Sequence, residues 1–263
     1  MSAAGPIALA YEAAPDTGLP PLLMVHGLLV NRDIWQPNHA LSRQFRLIRV
    51  DLPGHGDSPG LQDPEQAHPA SLIGALDRLR LSLGIARWHL CGQSFGACIA
   101  LFYALTYPAA CSGVVFTNGN AALRGHEAED QREARRALIA AIRHEGKDAL
   151  RRLPYHPANA RRFPPDLRQG LSASADIVDP ESLALLMQEG LPRLSVRARL
   201  DEISAPTLLV NGHYERKFQP LRDWLEQAHP GIAIADLPGG HSVNVDCPEA
   251  FNATVETFLR GRG

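Results

Sequence analysis

The chain has 263 residues, a formal net charge of −2, and 45% hydrophobic against 21% charged residues. This length suits one large domain, with or without an inserted subdomain, and the composition argues against a disordered chain. Because the chain has no net basic charge, nothing in its composition favours binding to nucleic acid.

The sequence also shows no pattern that predicts a membrane span, a leader segment or a metal site. No stretch reaches the roughly eighteen apolar residues of a membrane span, and residues 1–18 lack the basic and apolar regions of a signal peptide, so we expect a cytoplasmic protein without membrane contact. The eleven histidines form no HExxH or other close ligand pattern, and we predict no metal site and no cofactor. Four cysteines without CxxC spacing favour reduced, structural thiols.

Six short apolar runs, bounded by glycine, proline or aspartate, predict strands. Several are almost continuously hydrophobic, which is typical of parallel strands covered on both faces. They occupy residues 21–27, 45–51, 87–92, 113–118, 206–212 and 232–239.

Helical patterns lie between these runs and after the last one. Residues 69–84 are amphipathic, the chain stays apolar from Ser94 to Tyr107, and residues 248–261 form a closing helix that begins with a proline. The alternation of strands and helices predicts an α/β fold with a doubly wound, mostly parallel sheet.

The alternation stops in residues 119–200. Residues 129–146 and 179–190 have helical patterns, and the second begins with Asp179 as its N-cap and has Gly190 as its terminator. No strand pattern occurs in this block, so we expect a small helical insertion.

This insertion divides the predicted sheet domain into two parts. The first part of the core covers residues 1–118, the helical insertion covers residues 119–200, and the second part of the core covers residues 201–263. The insertion carries fourteen basic and eleven acidic residues, so its net charge is slightly positive.

The stretch GQSFG at residues 92–96 matches the pattern G-x-S-x-G and directly follows a predicted strand. In this pattern a sharp strand-to-helix turn exposes the serine, and side chains two residues away would crowd the turn. We interpret Ser94 as a candidate nucleophile and the Phe95 N–H, at the start of the next helix, as an oxyanion donor. The alternative interpretation is a chance match to the pattern, and only further motifs in the rest of the chain can distinguish the two.

A nucleophilic serine needs a histidine to accept its proton and an acid to orient that histidine. His241 lies in a glycine-rich loop between the last predicted strand and the last predicted helix, and Glu215 lies three residues beyond Gly212, after the preceding strand. The order serine, acid, histidine is one of the known orders for such a triad. A solvated loop charge is the alternative interpretation of Glu215.

Two further histidines lie beside glycines in turns. His26 and Gly27 close the first predicted strand, and the turn that follows would free the Leu28 N–H to act as a second oxyanion donor. His26 could itself be the catalytic base, but we favour a supporting role because His241 has the better position. His55 lies between two glycines without the spacing of a phosphate-binding loop, so we interpret this stretch as turn chemistry.

Four motifs, in order, resemble the α/β-hydrolase fold superfamily over nearly the whole chain. They are the HG turn at residues 26–27, DLPGHGDS at residues 51–58, the serine pattern, and the acid and histidine that follow it. The helical insertion matches the cap that this superfamily places between its sixth and seventh strands. The resemblance implies that the cap covers the active site and selects the substrate.

A narrower resemblance links the chain to the 2-succinyl-6-hydroxy-2,4-cyclohexadiene-1-carboxylate synthases of menaquinone synthesis. GHYERKF at residues 212–218, VDLPGHGDS, and the stretch at residues 119–136 are similar to that family. The family holds a polycarboxylate substrate with arginines, which implies Arg132 as a substrate-binding residue. We also expect His26 and Gln93, which adjoin the proposed oxyanion loop and nucleophile, to bind substrate.

The chain departs from the synthase pattern at several positions. Gln93 stands where the family usually has tyrosine, Ala97 replaces glycine, and Glu215 replaces aspartate. Residues 172–178, where a second arginine would be expected, contain none. These departures favour hydrolysis over the synthase reaction.

Three functional hypotheses follow. The favoured one is a serine hydrolase that cleaves a small-molecule carboxylic ester or lactone through Ser94, His241, Glu215 and an acyl-enzyme. The second is a cofactor-free lyase of the synthase type, in which the same residues abstract a proton and pyruvate is eliminated. A binding module without catalysis is disfavoured, because no member of the triad is missing. The sequence predicts no particular oligomeric state.

Overall fold

A seven-stranded sheet is the framework of residues 5–260, the part of the chain that this computed structural model describes. The ends of the two predicted core parts, residues 1–4 and 261–263, lie outside the described residues. The strands are β1 (Tyr11–Ala13), β2 (Pro21–Val25), β3 (Arg46–Val50), β4 (Trp88–Gln93), β5 (Cys111–Thr117), β6 (Thr207–Gly212) and β7 (Ala233–Leu237). Their order is β1-β3-β2-β4-β5-β6-β7.

The α/β fold with a mostly parallel sheet is confirmed, and each of the six predicted strands overlaps an observed one. Neighbours from β3 to β7 pair in parallel, whereas β1 pairs antiparallel with β3 and places Tyr11 opposite Val50. β1 was not predicted, because its three residues are exposed or half-buried at the sheet edge and form no apolar run.

Helices connect the strands and form the block between β5 and β6. The α-helices are α1 (Pro69–Ser82), α2 (Phe95–Thr106), α3 (Asn120–Leu123), α4 (Glu129–Glu145), α5 (Lys147–Arg151), α6 (Pro165–Ala175), α7 (Pro180–Leu185), α8 (Gln219–Ala228), α9 (Val243–Asp246) and α10 (Pro248–Leu259). Shorter 3₁₀ segments cover Arg32–Arg43, Pro64–Ala67, Pro108–Ala110, Pro157–Asn159, Leu191–Arg193 and Arg197–Glu202, and a π-helical turn covers Leu186–Gly190. Among the helices of residues 5–260, none combines the length and apolarity needed to cross a bilayer.

Apolar side chains cover both faces of the sheet. Successive residues of a strand point to opposite faces, so Leu23 and Leu90 pack with α1 and α2, whereas Met24 and Cys91 pack with α10 on the other face. Burial on both faces explains why these strands are almost continuously hydrophobic.

The helical segment, residues 119–200, has an apolar cluster of its own. No strand lies in this segment, and its helices α4 to α7 share a cluster that is separate from both sheet faces. The buried members from the segment are Ile139, Ile142, Ala149, Leu150, Leu153, Ala175, Val178, Leu183, Ala184 and Met187. Leu29 joins them from the loop after β2. The division of the chain into two core parts and a cap stays a prediction.

The predicted role of Gly190 is wrong. Asp179 caps α7 as expected, and its carboxylate accepts the Ser182 N–H at 2.9 Å. The chain does not end its helical path at Gly190, which has a right-handed φ of −76° and leads into a 3₁₀ turn. A Cβ at this position would lie 3.0 Å from the Ala67 carbonyl oxygen, so the glycine allows close packing instead.

His89, in β4, is a buried histidine without a hydrogen-bond partner. It is 1% exposed and lies edge-on to Phe45, and neither ring nitrogen has a partner within residues 5–260. Burial, together with the charge of Arg87, lowers the pKa of His89 to about 4. The ring is therefore neutral at pH 7, and protonating it in the folded protein is unfavourable.

We expect His89→Leu to make the protein less sensitive to acid. With a pKa of 6.5 when unfolded and about 4 when folded, the histidine binds protons more readily in the unfolded chain, so wild-type stability falls as the pH falls through this window. Between pH 7 and pH 5, the wild type loses about 2 kcal/mol of unfolding free energy through His89. The variant lacks this histidine, so its unfolding free energy should fall by about that much less. Urea unfolding of both proteins at the two pH values measures the difference. Equal losses in both would contradict the assignment, because every other histidine is shared.

Candidate active site

Ser94 lies at the turn from β4 into α2. Its backbone has φ 56° and ψ −112°, which non-glycine residues rarely adopt. A Cβ on Gly92 would lie 2.3 Å from the Gly96 carbonyl oxygen, and a Cβ on Gly96 would lie 2.1 Å from the Val25 carbonyl oxygen. Both glycines are therefore required, because the first turn of α2 packs directly on the ends of β2 and β4.

Ser94, His241 and Glu215 form a hydrogen-bonded series. Ser94 Oγ lies 2.8 Å from His241 Nε2, and His241 Nδ1 lies 2.9 Å from Glu215 Oε2. Glu215 follows β6 and His241 follows β7, and the carboxyl ends of parallel strands meet at the same edge of a sheet. In this arrangement Nε2 can accept the serine proton while the Nδ1–H donates to the carboxylate.

Two asparagines hold the carboxylate of Glu215. Asn118 Nδ2 donates to Oε2, Asn120 Nδ2 donates to Oε1 at 3.3 Å, and Asn118 Oδ1 accepts the Gly212 N–H at 3.1 Å. Burial raises the pKa of Glu215, but hydrogen bonds from His241 and the asparagines outweigh burial and keep this pKa below its ordinary value. No motif identifies the asparagines; their position directly after β5, at the same sheet edge, is the signal that could have found them.

Leu28 and Phe95, whose N–H groups are the predicted oxyanion donors, both line the cavity that Ser94 also lines. Neither N–H donates to an acceptor in the part of the chain that the structure describes. The loop approaches the serine closely, since a Cβ on Gly27 would lie 3.0 Å from Ser94 Cβ. Both donors are thus available beside the candidate nucleophile.

His26 lies behind the oxyanion loop. It is fully buried, its Nδ1 donates to the Gly27 carbonyl oxygen at 2.7 Å, and its Nε2 accepts the Leu52 N–H at 2.9 Å. Burial, assisted by the neighbouring ring of His55, lowers the pKa of His26 to about 3. His26 was expected to bind substrate, but its ring is enclosed and does not line the cavity, so the structure does not bring His26 to the site.

A cavity of about 970 Å³ opens in front of Ser94. Its wall combines the hydrogen-bonded series with side chains of the helical segment, and the contributors from that segment include Tyr155, His156, Phe163, Met187 and Leu191. This volume is typical of sites for small molecules. Within residues 5–260, no group of three or more histidine, cysteine, aspartate and glutamate side chains is arranged to hold a metal ion.

Gln93 and Arg132 were both predicted to bind substrate, and only Gln93 lines the cavity. Gln93 is 3% exposed, its Nε2 lies 3.5 Å from Ser242 Oγ, and its Oε1 has no partner among the described residues. Arg132 instead donates to Glu129 within α4, at 2.9 Å. The structure therefore does not bring Arg132 to the site.

Three other arginines of the helical segment line the cavity. Arg124 donates to Glu127 at 3.0 Å, and Arg162 lies 3.8 Å from Asp246. Arg161 is exposed, and its guanidinium has no partner in the described chain. Arg124 lies in the stretch at residues 119–136 that is similar to the synthase family, whereas Arg161 and Arg162 lie in no motif, so only the folded arrangement identifies those two.

Comparisons with known proteins agree with the fold. A family model described as alpha/beta hydrolase fold matches residues 20–246. Among solved structures, a hydrolase from Pseudomonas aeruginosa PA01 aligns with a TM-score of 0.78 and 25% identity, over 96% of this chain and 94% of that one. The resemblance inferred from the sequence motifs is thereby confirmed.

Curated relatives have different activities. A 2-succinyl-6-hydroxy-2,4-cyclohexadiene-1-carboxylate synthase from Serratia proteamaculans is 27% identical over 264 residues, covering 93% of this chain and 94% of its own length. A pimeloyl-(acyl-carrier protein) methyl ester esterase from Nitrosospira multiformis is 24% identical over 251 residues, covering 92% and 95%. The chain is thus similar over more than nine-tenths of its length to both a synthase and an esterase.

We expect Asn118→Ala to lower kcat/KM for an activated ester roughly ten- to a hundredfold, because a hydrogen bond to a charged group contributes about 1.5–3 kcal/mol. The matched control is Asn120→Ala, whose contact with Glu215 is longer and whose loss should be smaller. Steady-state kinetics with p-nitrophenyl acetate, alongside thermal unfolding of each variant, measures both effects. An unchanged kcat/KM in Asn118→Ala would show that Asn118 does not orient the carboxylate.

Proposed function

We propose that this chain, which belongs to the alpha/beta hydrolase fold family, is a serine hydrolase that cleaves a small carboxylic ester or lactone. The observation that carries the proposal is the 2.8 Å contact between Ser94 Oγ and His241 Nε2, with Glu215 on the far side of the imidazole. A serine hydroxyl is a weak nucleophile unless a neighbouring base accepts its proton. The esterase from Nitrosospira multiformis supports ester cleavage as the reaction class.

In the proposed acylation step, Ser94 Oγ attacks the substrate carbonyl carbon while His241 Nε2 accepts the hydroxyl proton. The carbonyl electron pair moves to oxygen, and the N–H groups of Leu28 and Phe95 donate to the resulting oxyanion. Glu215 stays ionised and stabilises the imidazolium. When the tetrahedral intermediate collapses, the C–O bond to the leaving oxygen breaks and His241 returns the proton to that oxygen.

Deacylation repeats these steps with water. His241 accepts a proton from water as the water oxygen attacks the acyl carbon, and the second oxyanion uses the same two donors. Collapse breaks the bond to Ser94 Oγ, which regains its proton from His241. The products are the carboxylic acid and the alcohol, which remain joined as one hydroxy acid when the substrate is a lactone.

We further propose that residues 119–200 act as a cap that selects the substrate. Support comes from the cavity, since side chains of this segment form much of the wall opposite Ser94. Gln93 also lines the cavity beside Ser94, but its side chain is 3% exposed and its Oε1 lies against Gly27, so it shapes this wall and does not offer a free acceptor to a substrate.

The alternative function is a cofactor-free lyase that resembles the synthase. The Serratia proteamaculans relative favours it, and so does the unpaired Arg161, which suits a carboxylate-bearing substrate. The position of Arg132 argues against it, because the arginine implied by the resemblance pairs with Glu129. We therefore rank the lyase second.

A fluorophosphonate probe should label the wild-type protein at Ser94 and fail to label Ser94→Ala. The reason is that phosphonylation requires a serine activated by His241 and an oxyanion site. The matched control is Ser242→Ala, which removes another serine of the cavity wall and should still be labelled. Gel fluorescence and peptide mass spectrometry read the result, and a wild type that resists the probe would contradict an activated nucleophile.

A substrate panel separates hydrolysis from elimination. We expect short-chain esters and lactones to be turned over with at least about a 10³-fold loss in Ser94→Ala, as for other serine nucleophiles. The synthase substrate should release no pyruvate, which a coupled lactate dehydrogenase assay would detect. Pyruvate release without turnover of any ester or lactone would establish the lyase instead.

A further inference from the structure

Leu29 has a backbone conformation that leucine rarely adopts. Among residues 5–260, Leu29 and Ser94 are the two non-glycine residues with positive φ, at 61° and 56°. A branched apolar residue in this region is uncommon and persists only where surrounding contacts hold it. The conformation of Ser94 follows from the close packing of α2, whereas that of Leu29 needs a separate explanation.

One part of the explanation is His55. Its Nε2 accepts the Leu29 N–H at 3.3 Å, and its Nδ1 donates to the Pro53 carbonyl oxygen at 2.9 Å. The ring is fully buried, and burial lowers the pKa of His55 to about 4, so the imidazole is a neutral acceptor. The turn after β3 therefore fixes the backbone of Leu29.

The other part is the side chain of Leu29. It is fully buried, and it belongs to the apolar cluster of the helical segment instead of either sheet face. The half-buried side chain of Leu28 packs against the same cluster. The loop after β2 is thus attached through Leu29 to the segment that forms the cavity wall.

The peptide between Gly27 and Leu28 carries the proposed oxyanion donor. The Gly27 carbonyl and the Leu28 N–H belong to one peptide unit, and no peptide bond in the described chain is cis, so the two groups point in opposite directions. His26 holds the carbonyl side at 2.7 Å. On the C-terminal side, Leu28 is followed by Leu29, whose N–H is held by His55 and whose side chain is held by the helical segment.

We propose that Leu29 is a positioning residue that links the packing of the helical segment to the oxyanion hole. This inference rests on the proposed function, since it assigns the Leu28 N–H to the oxyanion. When the Leu29 side chain is seated in the helical segment, the donor points at the reacting carbonyl. When that anchor is lost, the strained backbone relaxes and the donor moves, while the Phe95 N–H stays in place at the start of α2.

The test compares Leu29→Ala with Leu29→Met and with Leu150→Ala. The first removes the anchor, the second keeps an apolar side chain of similar volume, and the third removes a buried leucine of the same cluster that lies outside the loop. Steady-state kinetics with p-nitrophenyl acetate gives kcat and KM. Inhibition by butylboronic acid, which forms a tetrahedral adduct on a nucleophilic serine, reports on the oxyanion hole itself. Thermal unfolding checks that each variant is folded at the assay temperature.

For Leu29→Ala we expect kcat to fall about thirtyfold with KM changed less than threefold, since loss of a whole oxyanion donor costs about 10²–10³. The affinity for butylboronic acid should fall in parallel. In kcat, KM and affinity for butylboronic acid, Leu29→Met and Leu150→Ala should both stay within about threefold of the wild type, because neither variant removes an oxyanion donor. If Leu29→Ala does not fold, Leu29→Val carries the test, because its β-branch opposes positive φ while most of the apolar volume remains.

The outcomes separate the two proposals. A wild type that hydrolyses the ester, with Leu29→Ala no worse than Leu150→Ala, overturns the role of Leu29 alone. A rise in KM at constant kcat overturns it as well, because the residue would then shape binding and not the oxyanion hole. A wild type that neither hydrolyses esters nor binds butylboronic acid overturns the proposed function and this inference with it.

Discussion

The contact between α2 and the ends of β2 and β4 is the constraint on which the rest of the site depends. Gly96 lies so close to the Val25 carbonyl that no side chain fits between helix and strand. The chain can enter α2 only through a strained residue, and that residue is Ser94. The strain is maintained because relaxing it would separate the helix from the sheet core. The same turn sets the direction of the Phe95 N–H.

Three histidines lie around this turn, and burial divides their roles. His26 and His55 are fully buried, and each donates from Nδ1 and accepts a backbone N–H at Nε2. An enclosed imidazole that stays neutral makes a dependable backbone brace. His241 has a side chain that is 38% exposed and lines the cavity, so it alone of the three has access to a substrate. A histidine beside a glycine in this sequence can therefore be either structural or catalytic, and its burial determines which of the two roles it has.

Much of the fold and the central part of the candidate site could be predicted from sequence, because both depend on local patterns. Apolar runs reveal buried strands, and the spacing of Gly92 and Gly96 around Ser94 reveals a turn with no room for side chains. β1 could not be predicted in this way, because an edge strand of three exposed or half-buried residues has no pattern. The role of Asn118 could not be predicted either, because it depends on where β5 ends relative to β6.

The substrate-binding residues were harder to predict, because the direction of a side chain depends on packing. Arg132 has the residue type and region that the synthase resemblance implies, yet it pairs with Glu129 on α4 while Arg161 faces the cavity without a partner. Helical residues three apart lie on the same face, so an acidic residue at that spacing can form an ion pair with an arginine. The guanidinium is then less available to a ligand. A single nearby carboxylate thus changes which arginine remains free for a substrate.

The two proposed oxyanion donors differ in what holds them, and this difference bears on how specificity and rate are connected. The Phe95 N–H belongs to a helix packed on the sheet. The Leu28 N–H belongs to a loop whose next residue is buried in the helical segment. A substrate that rearranges that segment would therefore act on the Leu28 donor through Leu29. If residues 119–200 act as the proposed cap, they affect the chemical step as well as binding, because poor packing around the substrate would also weaken stabilisation of the oxyanion.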